Sequence, residues 1–264
     1  MIHADSGFGT HPTIDLGCGT LCTFNYDSLI SSALAIVATV AVAFWIRSRL
    51  REGEPSKLQA IFEWGYDLLR GLIKENVDEG ALFIIPLALT LFLYILVANW
   101  LEILPLGLFP ILHGANADVN QTLAMALIVI GLVQWYSVSV LGWRGYLRRF
   151  TKPFELPWWG RAVYAPLNVI EELVKPVTLS LRLFGNIFAG GVMIALIASF
   201  GTLALPAVGT VGGTVIGAAL LALWKAFDVI FIGFIQAFIF MLLTVIYFGM
   251  AREGIDHGHH KEAS

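Results

Sequence analysis

The chain has 264 residues, 58% of them hydrophobic and 13% charged, with a formal net charge of −3. A soluble protein of this length buries a large core with fewer apolar residues, so the composition points to a membrane protein. Apolar runs near the roughly 20 residues needed to span a bilayer fall at 28–46, 81–104, 121–142, 176–200 and 214–250.

Residues 1–27 read as an external N-terminal segment. The first apolar run is preceded by acids rather than Lys or Arg and lacks a small-residue cleavage pattern, so it is expected to remain in the mature protein. Cys18 and Cys22 lie in this segment. An external location permits a disulfide between them; two unpaired thiols are the other reading. Residues 56–77 carry Leu58, Ile61, Phe62, Gly65, Leu68, Leu69 and Leu72 at helical spacing, with Glu63, Asp67, Arg70 and Lys74 between them. That pattern predicts an interfacial amphipathic helix on the cytoplasmic side.

The last two elements are long. Residues 214–250 as one helix would measure roughly 55 Å at about 1.5 Å per residue, against a hydrocarbon core about 30 Å thick. Residues 166–200 also overrun it, with a kink or break expected at Pro176. A strongly tilted helical hairpin joined by the Gly-rich turn 201–213 accommodates both. The expected fold class is an all-α membrane protein. It has five crossing helices, one amphipathic helix, a single membrane domain over 28–250 and a tail over 251–264. The tail's His257, His259 and His260 fit a solvated segment better than a metal site.

Basic residues set the orientation, because cytoplasmic loops carry the excess of Lys and Arg. All 16 lie in 47–80, in 143–175 or in the tail, except Arg182 and Lys225. Five crossings with the N-terminus outside and the C-terminus cytoplasmic fit without exception. Once these residues serve as topology markers, no basic patch remains to suggest nucleic acid.

The ionisable groups at membrane depth narrow the function. All six histidines lie in tails or loops. The carboxylates within or beside the apolar runs are Glu102, Glu171, Glu172 and Asp228; the neutral polar residues are Asn99, Asn186 and Gln236. Glu171, Lys175, Thr178, Arg182 and Asn186 follow one another at helical steps of three or four, forming a stripe that rises from the cytoplasmic edge. Asp228 is three residues after Lys225, and Gln236 about two turns further on. A buried Asn or Gln often serves as interhelical glue. Lys225 with Asp228 reads either as a neutralised pair or as part of a path. Glu171 and Glu172 read either as solvated interface residues or as its inner end. Arg182 is harder to dismiss. A guanidinium keeps its proton, a charge in a membrane helix costs roughly 2.5–3.5 kcal/mol on insertion scales, and no acid stands at i±3 or i±4. Its counter-charge must come from another helix or another subunit.

At these residues the chain resembles subunit a of the rotary F-type ATP synthase. The motifs are residues 175–190, KPVTLSLRLFGNIFAG; residues 236–247, QAFIFMLLTVIY; and residues 99–105, NWLEILP. They occur in the family's order, and the resemblance covers roughly residues 28–250. The resemblance implies a stator subunit beside a ring of c subunits, each with a mid-membrane carboxylate, together with peripheral-stalk b subunits. Arg182 matches the family's essential arginine, Asn186 and Gln236 its polar partners, and Glu102 its acid on the second crossing. Nine residues after the arginine, where many members carry an acid or histidine, this chain has Gly191. Asp228 stands at an apparent one-residue offset from a position where some members carry histidine.

The implied mechanism uses two offset half-channels. Glu102, Asp228, Asn186 and Gln236 belong to the outer one; Glu171, Glu172 and Thr178 lead out of the inner one. A bacterial plasma membrane is the expected location and the proton the expected ion, ahead of sodium. No cofactor, metal or nucleotide is expected, since no Walker-type phosphate loop is present. An intramembrane hydrolase would need a Ser–His or paired-acid site at depth, and a secondary transporter commonly shows internal repeats; neither is found.

Overall fold

The computed structural model describes residues 2–3, 13–15, 23–51, 53, 55–77, 81–101, 116, 118–151, 158–204 and 210–251. Seven α-helices account for most of them: α1 Tyr26–Arg49, α2 Lys57–Asn76, α3 Ile84–Leu101, α4 Val119–Thr151, α5 Trp158–Ala204, α6 Thr210–Phe227 and α7 Gly233–Met250. A π-helical turn, Asp228–Ile232, lies between α6 and α7. The segments Asp27–Arg49, Ile84–Leu101, Val119–Leu147, Pro166–Ser199 and Thr214–Met250 are long and apolar enough to cross a membrane. They match the five apolar runs of the sequence.

Three short strands precede the helices: β1 Ile2–His3, β2 Thr13–Asp15 and β3 Thr23–Asn25. They form an antiparallel sheet in the order β1-β2-β3, with Ile14 opposite both Ile2 and Phe24. Strands of two or three residues are too short to leave an alternation signal, so this sheet is an addition to the helical fold read from the sequence. Cys18, Cys22, Glu102 and the tail histidines lie outside the described residues.

Local chemistry fixes the helix ends. Ser56 caps α2, its hydroxyl accepting the Gln59 N–H at 3.2 Å. The Gln59 side chain turns back to the Arg51 backbone, accepting from its N–H at 3.2 Å and donating to its carbonyl at 3.1 Å. Within α4, Gly142 has φ 66° and ψ 165°, interrupting the helix where the third apolar run ends. That positive φ is open to glycine at little cost. Pro166 and Pro176 both lie inside a continuous α5, so of the kink or break expected at Pro176 there is no break. Membrane helices tolerate internal proline where neighbouring groups take up the freed backbone.

The chain divides into two compact units: Met1–Ser48 with Leu93–Thr122 and Leu183–Ala237, and Arg49–Phe92 with Leu123–Arg182 and Phe238–Ser264. In the first, Ala35 of α1 packs with Ala98 of α3, flanked by Tyr94 and Leu101; small residues allow such close helix approach. Polar side chains reinforce it. Ser32 bonds Gln121, whose amide donates to the Tyr94 hydroxyl at 2.8 Å. Asn25 donates to Asp118 at 2.7 Å.

In the second unit, Leu69 and Ile73 of α2 meet Ile84 and Ala88 of α3, Val133 and Tyr136 of α4, and Val245 and Phe248 of α7. Phe83, Tyr136 and Phe248 form an aromatic cluster with centroids 5.3–6.3 Å apart. Leu69 and Ile73 are the buried side of α2, while Leu58, Ile61 and Trp64 remain exposed, as an interfacial helix requires.

A Cβ on Gly249 would collide with the backbone carbonyl oxygen of Asn76, whereas one on Gly65 would meet nothing within 4 Å. Backbone cannot swing aside as a side chain can. Gly249→Ala is therefore expected to lower stability by about 1–3 kcal/mol, the usual cost of overpacking. Gly65→Ala should leave the melting temperature of the detergent-solubilised protein unchanged or slightly raised. Equal melting temperatures for the two variants would contradict this packing.

Candidate functional site

Within the first unit, four elements converge on a small cleft lined by Asn99, Leu183, Asn186, Ile187, Asp228, Val229, Gly233 and Gln236. α3 contributes Asn99, α5 contributes Asn186, the π turn contributes Asp228 and α7 contributes Gln236. Three residues predicted for the outer path, Asn186, Asp228 and Gln236, thus share one site. Asn99, Asp228 and Gln236 are all buried. Among the described residues the Gln236 Nε2 has no hydrogen-bond partner. A buried, unmatched donor beside a carboxylate is suited to holding a water or a carboxyl oxygen.

Asp228 is held closely by its surroundings. Its Oδ2 lies 2.7 Å from where a Cβ on Gly190 would stand, so the carboxylate occupies a notch made by that glycine. Lys225 is within electrostatic reach of it. A Cβ on Gly191, by contrast, would meet nothing within 4 Å. The space beside Gly191 is open, in keeping with the missing second titratable group noted in the sequence.

The second unit contains a different polar group. Glu172 accepts from Lys175 at 2.9 Å through Oε1 and from the Gln134 amide of α4 at 2.7 Å through Oε2. Lys175 also reaches Glu171 at 3.9 Å and stands 5.9 Å from the centroid of the Tyr247 ring. The two neighbouring acids are therefore not equivalent. Glu172 has both oxygens engaged and is largely enclosed; Glu171 has a side chain 61% exposed. The Thr178 hydroxyl donates to its own helix, to the Val174 and Lys175 carbonyls at 3.1 and 3.0 Å. Gln134 and Asn99 were absent from the predicted site because a lone amide in an apolar run does not reveal its partner.

Arg182 is exposed on α5. Among the described residues no carboxylate lies within ion-pair distance of it. Leu173, Val174, Val177 and Leu181 are exposed on the same helix. In an 18-residue stretch of Pro166–Ser199 only 11% of the residues are buried, against 44% in such a stretch of Thr214–Met250. A permanent cation thus stands on an apolar helix surface that this chain leaves largely uncovered.

The notch gives a direct test. If the cleft carries the ion path that the family resemblance implies, Gly190→Ala, which pushes on the Asp228 carboxylate, is expected to slow transport about tenfold, equivalent to about 1.4 kcal/mol. Gly191→Ala should stay within about twofold of the unaltered protein, since a surface substitution without contacts usually costs under about 0.5 kcal/mol. ATP-driven quenching of a pH-sensitive dye in membrane vesicles reads both. Indistinguishable rates would remove the notch from the account.

Known proteins agree with the motifs. The sequence profile described as ATP synthase A chain matches residues 29–249. ATP synthase subunit a of Acidothermus cellulolyticus is 37% identical over 270 residues, covering 99% of this chain and 89% of the relative. The Mycobacterium ulcerans subunit is 38% identical, covering 98% of each chain. The Bacillus pumilus subunit is 34% identical, covering 85% of this chain and 91% of the relative. With five helices able to span a bilayer, the chain is a multi-pass membrane protein, and it belongs to the ATP synthase A chain family.

Proposed function

We propose that this chain is the ion-conducting stator subunit of a rotary ATP synthase, working against a ring of c subunits and anchored by peripheral-stalk b subunits. The observation that carries the reading is Arg182: a fixed positive charge, exposed on an apolar helix, with no carboxylate of its own chain among the described residues to pair with. A ring carboxylate passing that face supplies the missing partner.

The physics of the cycle follows. A ring carboxylate facing lipid favours its neutral form, because low dielectric penalises charge. Beside Arg182 the balance reverses. At about 4 Å and an effective dielectric near 20, the attraction is about 4 kcal/mol, enough to release the proton. Arg182 does not carry that proton, because a guanidinium keeps its own protons and has no lone pair to accept another. Its charge also bars a proton from passing straight between the two half-channels.

The outer half-channel is assigned to the cleft of Asn186, Asp228 and Gln236, and Glu102 is assigned to the same path on the family resemblance alone. The inner half-channel is assigned to the side of α5 bearing Thr178 and Glu171. Glu172, tied to Lys175 and Gln134, serves there as a fixed charge beside the exit. With the N-terminus outside and the C-terminus cytoplasmic in a bacterial plasma membrane, the membrane potential contributes about 2.3 kcal/mol per charge per 100 mV. Residues 1–27 then lie outside, 28–250 form the membrane domain and 251–264 the cytoplasmic tail. The proton is the coupling ion of this reading, and nucleotide chemistry belongs to other subunits.

Arg182→Ala is expected to leave the complex assembled and to abolish ATP-driven proton pumping in vesicles. In the same assay Asp228→Asn should slow pumping more than Glu171→Gln, because Asp228 is buried in the cleft and Glu171 is replaceable by water. Pumping at the unaltered rate in Arg182→Ala would overturn the mechanism. Equal, negligible effects of the other two would overturn the assignment of the outer path.

A further inference from the structure

The π turn between α6 and α7 has a geometric consequence for the cleft. The Gly233 N–H bonds the Asp228 carbonyl, five residues back. A π turn of this kind absorbs one residue more than an α turn. Asp228 and Gln236 are eight residues apart. In an uninterrupted α-helix, at about 100° per residue, they would point about 80° apart. With one residue absorbed they fall within about 20° of each other. Both line the same cleft.

A π turn is uncommon and is found mostly at functional sites; something must hold it. The Asn99 Nδ2 donates to the Gly233 carbonyl at 3.2 Å, at the end of the turn. The Asn116 Nδ2 donates to the Asn99 Oδ1 at 3.0 Å, which fixes which way the Asn99 amide points. Both asparagines are more than nine-tenths buried. A Cβ on Gly233 would stand 3.1 Å from the Asn99 Cβ, so the approach depends on glycine. The Asn116 Oδ1 has no partner among the described residues, a cost of about 1–3 kcal/mol that an apolar packing residue would avoid.

We propose that Asn99, oriented by Asn116, is a positioning residue that holds the π turn, and that the turn sets Asp228 on the Gln236 side of the cleft. Its functional weight rests on the assignment of Asp228 to the outer path. Asn99 acts through Asp228 and need not touch the ion. This differs from ordinary interhelical glue, which would stabilise the bundle without controlling the direction of Asp228.

Deleting Ile230, an exposed residue of the π turn, separates the two roles. The deletion leaves Asp228 and Gln236 seven positions apart, which an ordinary α-helix places about 20° from each other. The turn is then no longer needed, and neither is Asn99. In vesicles, Asn99→Leu is expected to lower ATP-driven pumping about tenfold, and the Ile230 deletion to stay within about threefold of the unaltered complex. The double variant should pump no worse than the deletion alone. An equal loss from Asn99→Leu in both backgrounds would overturn the proposal.

A second measurement is independent of transport. With Gly190→Cys and Asp228→Cys in the assembled complex, oxidation should form a disulfide readily, because the Gly190 Cβ position is 3.2 Å from the Asp228 Cγ. Adding Asn99→Leu should slow that cross-link about tenfold. An unchanged rate would contradict the proposal even if the deletion variant fails to assemble. Asp228→Asn in the same vesicles distinguishes the two levels. Undiminished pumping there removes the outer-path assignment, while the cross-link still reports on the turn.

Discussion

A guanidinium on an apolar membrane helix needs a counter-charge, and this chain does not supply one among its described residues. That constraint organises the rest. A local carboxylate beside Arg182 would satisfy it and silence it, since a closed ion pair has little left with which to attract a passing acid. The neighbouring cation on α5 shows the contrast. Lys175 is tied to Glu172 and close to Glu171 and the Tyr247 ring, so its charge is spent inside the chain. Two basic residues seven apart on one helix therefore have opposite fates, one neutralised and one left open.

The cleft of Asn99, Asn186, Asp228 and Gln236 meets a different requirement. An ion path through an apolar protein needs polar groups that are buried yet incompletely satisfied, because fully paired groups have nothing to offer a traveller. Gln236 has a donor without a partner among the described residues, and Asp228 sits against a glycine rather than a bulky side chain. Asn99, by contrast, is engaged on both sides, with Gly233 and with Asn116. The site thus combines a rigid part that aims the carboxylate with a loose part that can hold water.

The helices were legible because apolar run length is a strong signal: all five spans, and α2 with its buried Leu69 and Ile73, lie where the pattern put them. The residues of the cleft were legible as types, since Asp228 and Gln236 are costly in apolar surroundings. Their convergence was not. Eight residues apart, they share a face only through the π turn, and one absorbed residue leaves no mark on hydropathy. The unequal burial of Glu171 and Glu172 was equally hidden, because it depends on Gln134 from a distant part of the chain. At Pro176, where a kink or break was expected, α5 runs on unbroken.

The most direct measurement is the surroundings of Arg182 in the assembled, membrane-embedded complex, resolved by electron cryomicroscopy. The account predicts a carboxylate of a neighbouring ring subunit within about 4–6 Å of the guanidinium, the range over which opposite charges control ionisation. A guanidinium paired instead with an acid of its own chain, with no ring carboxylate in reach, would contradict it.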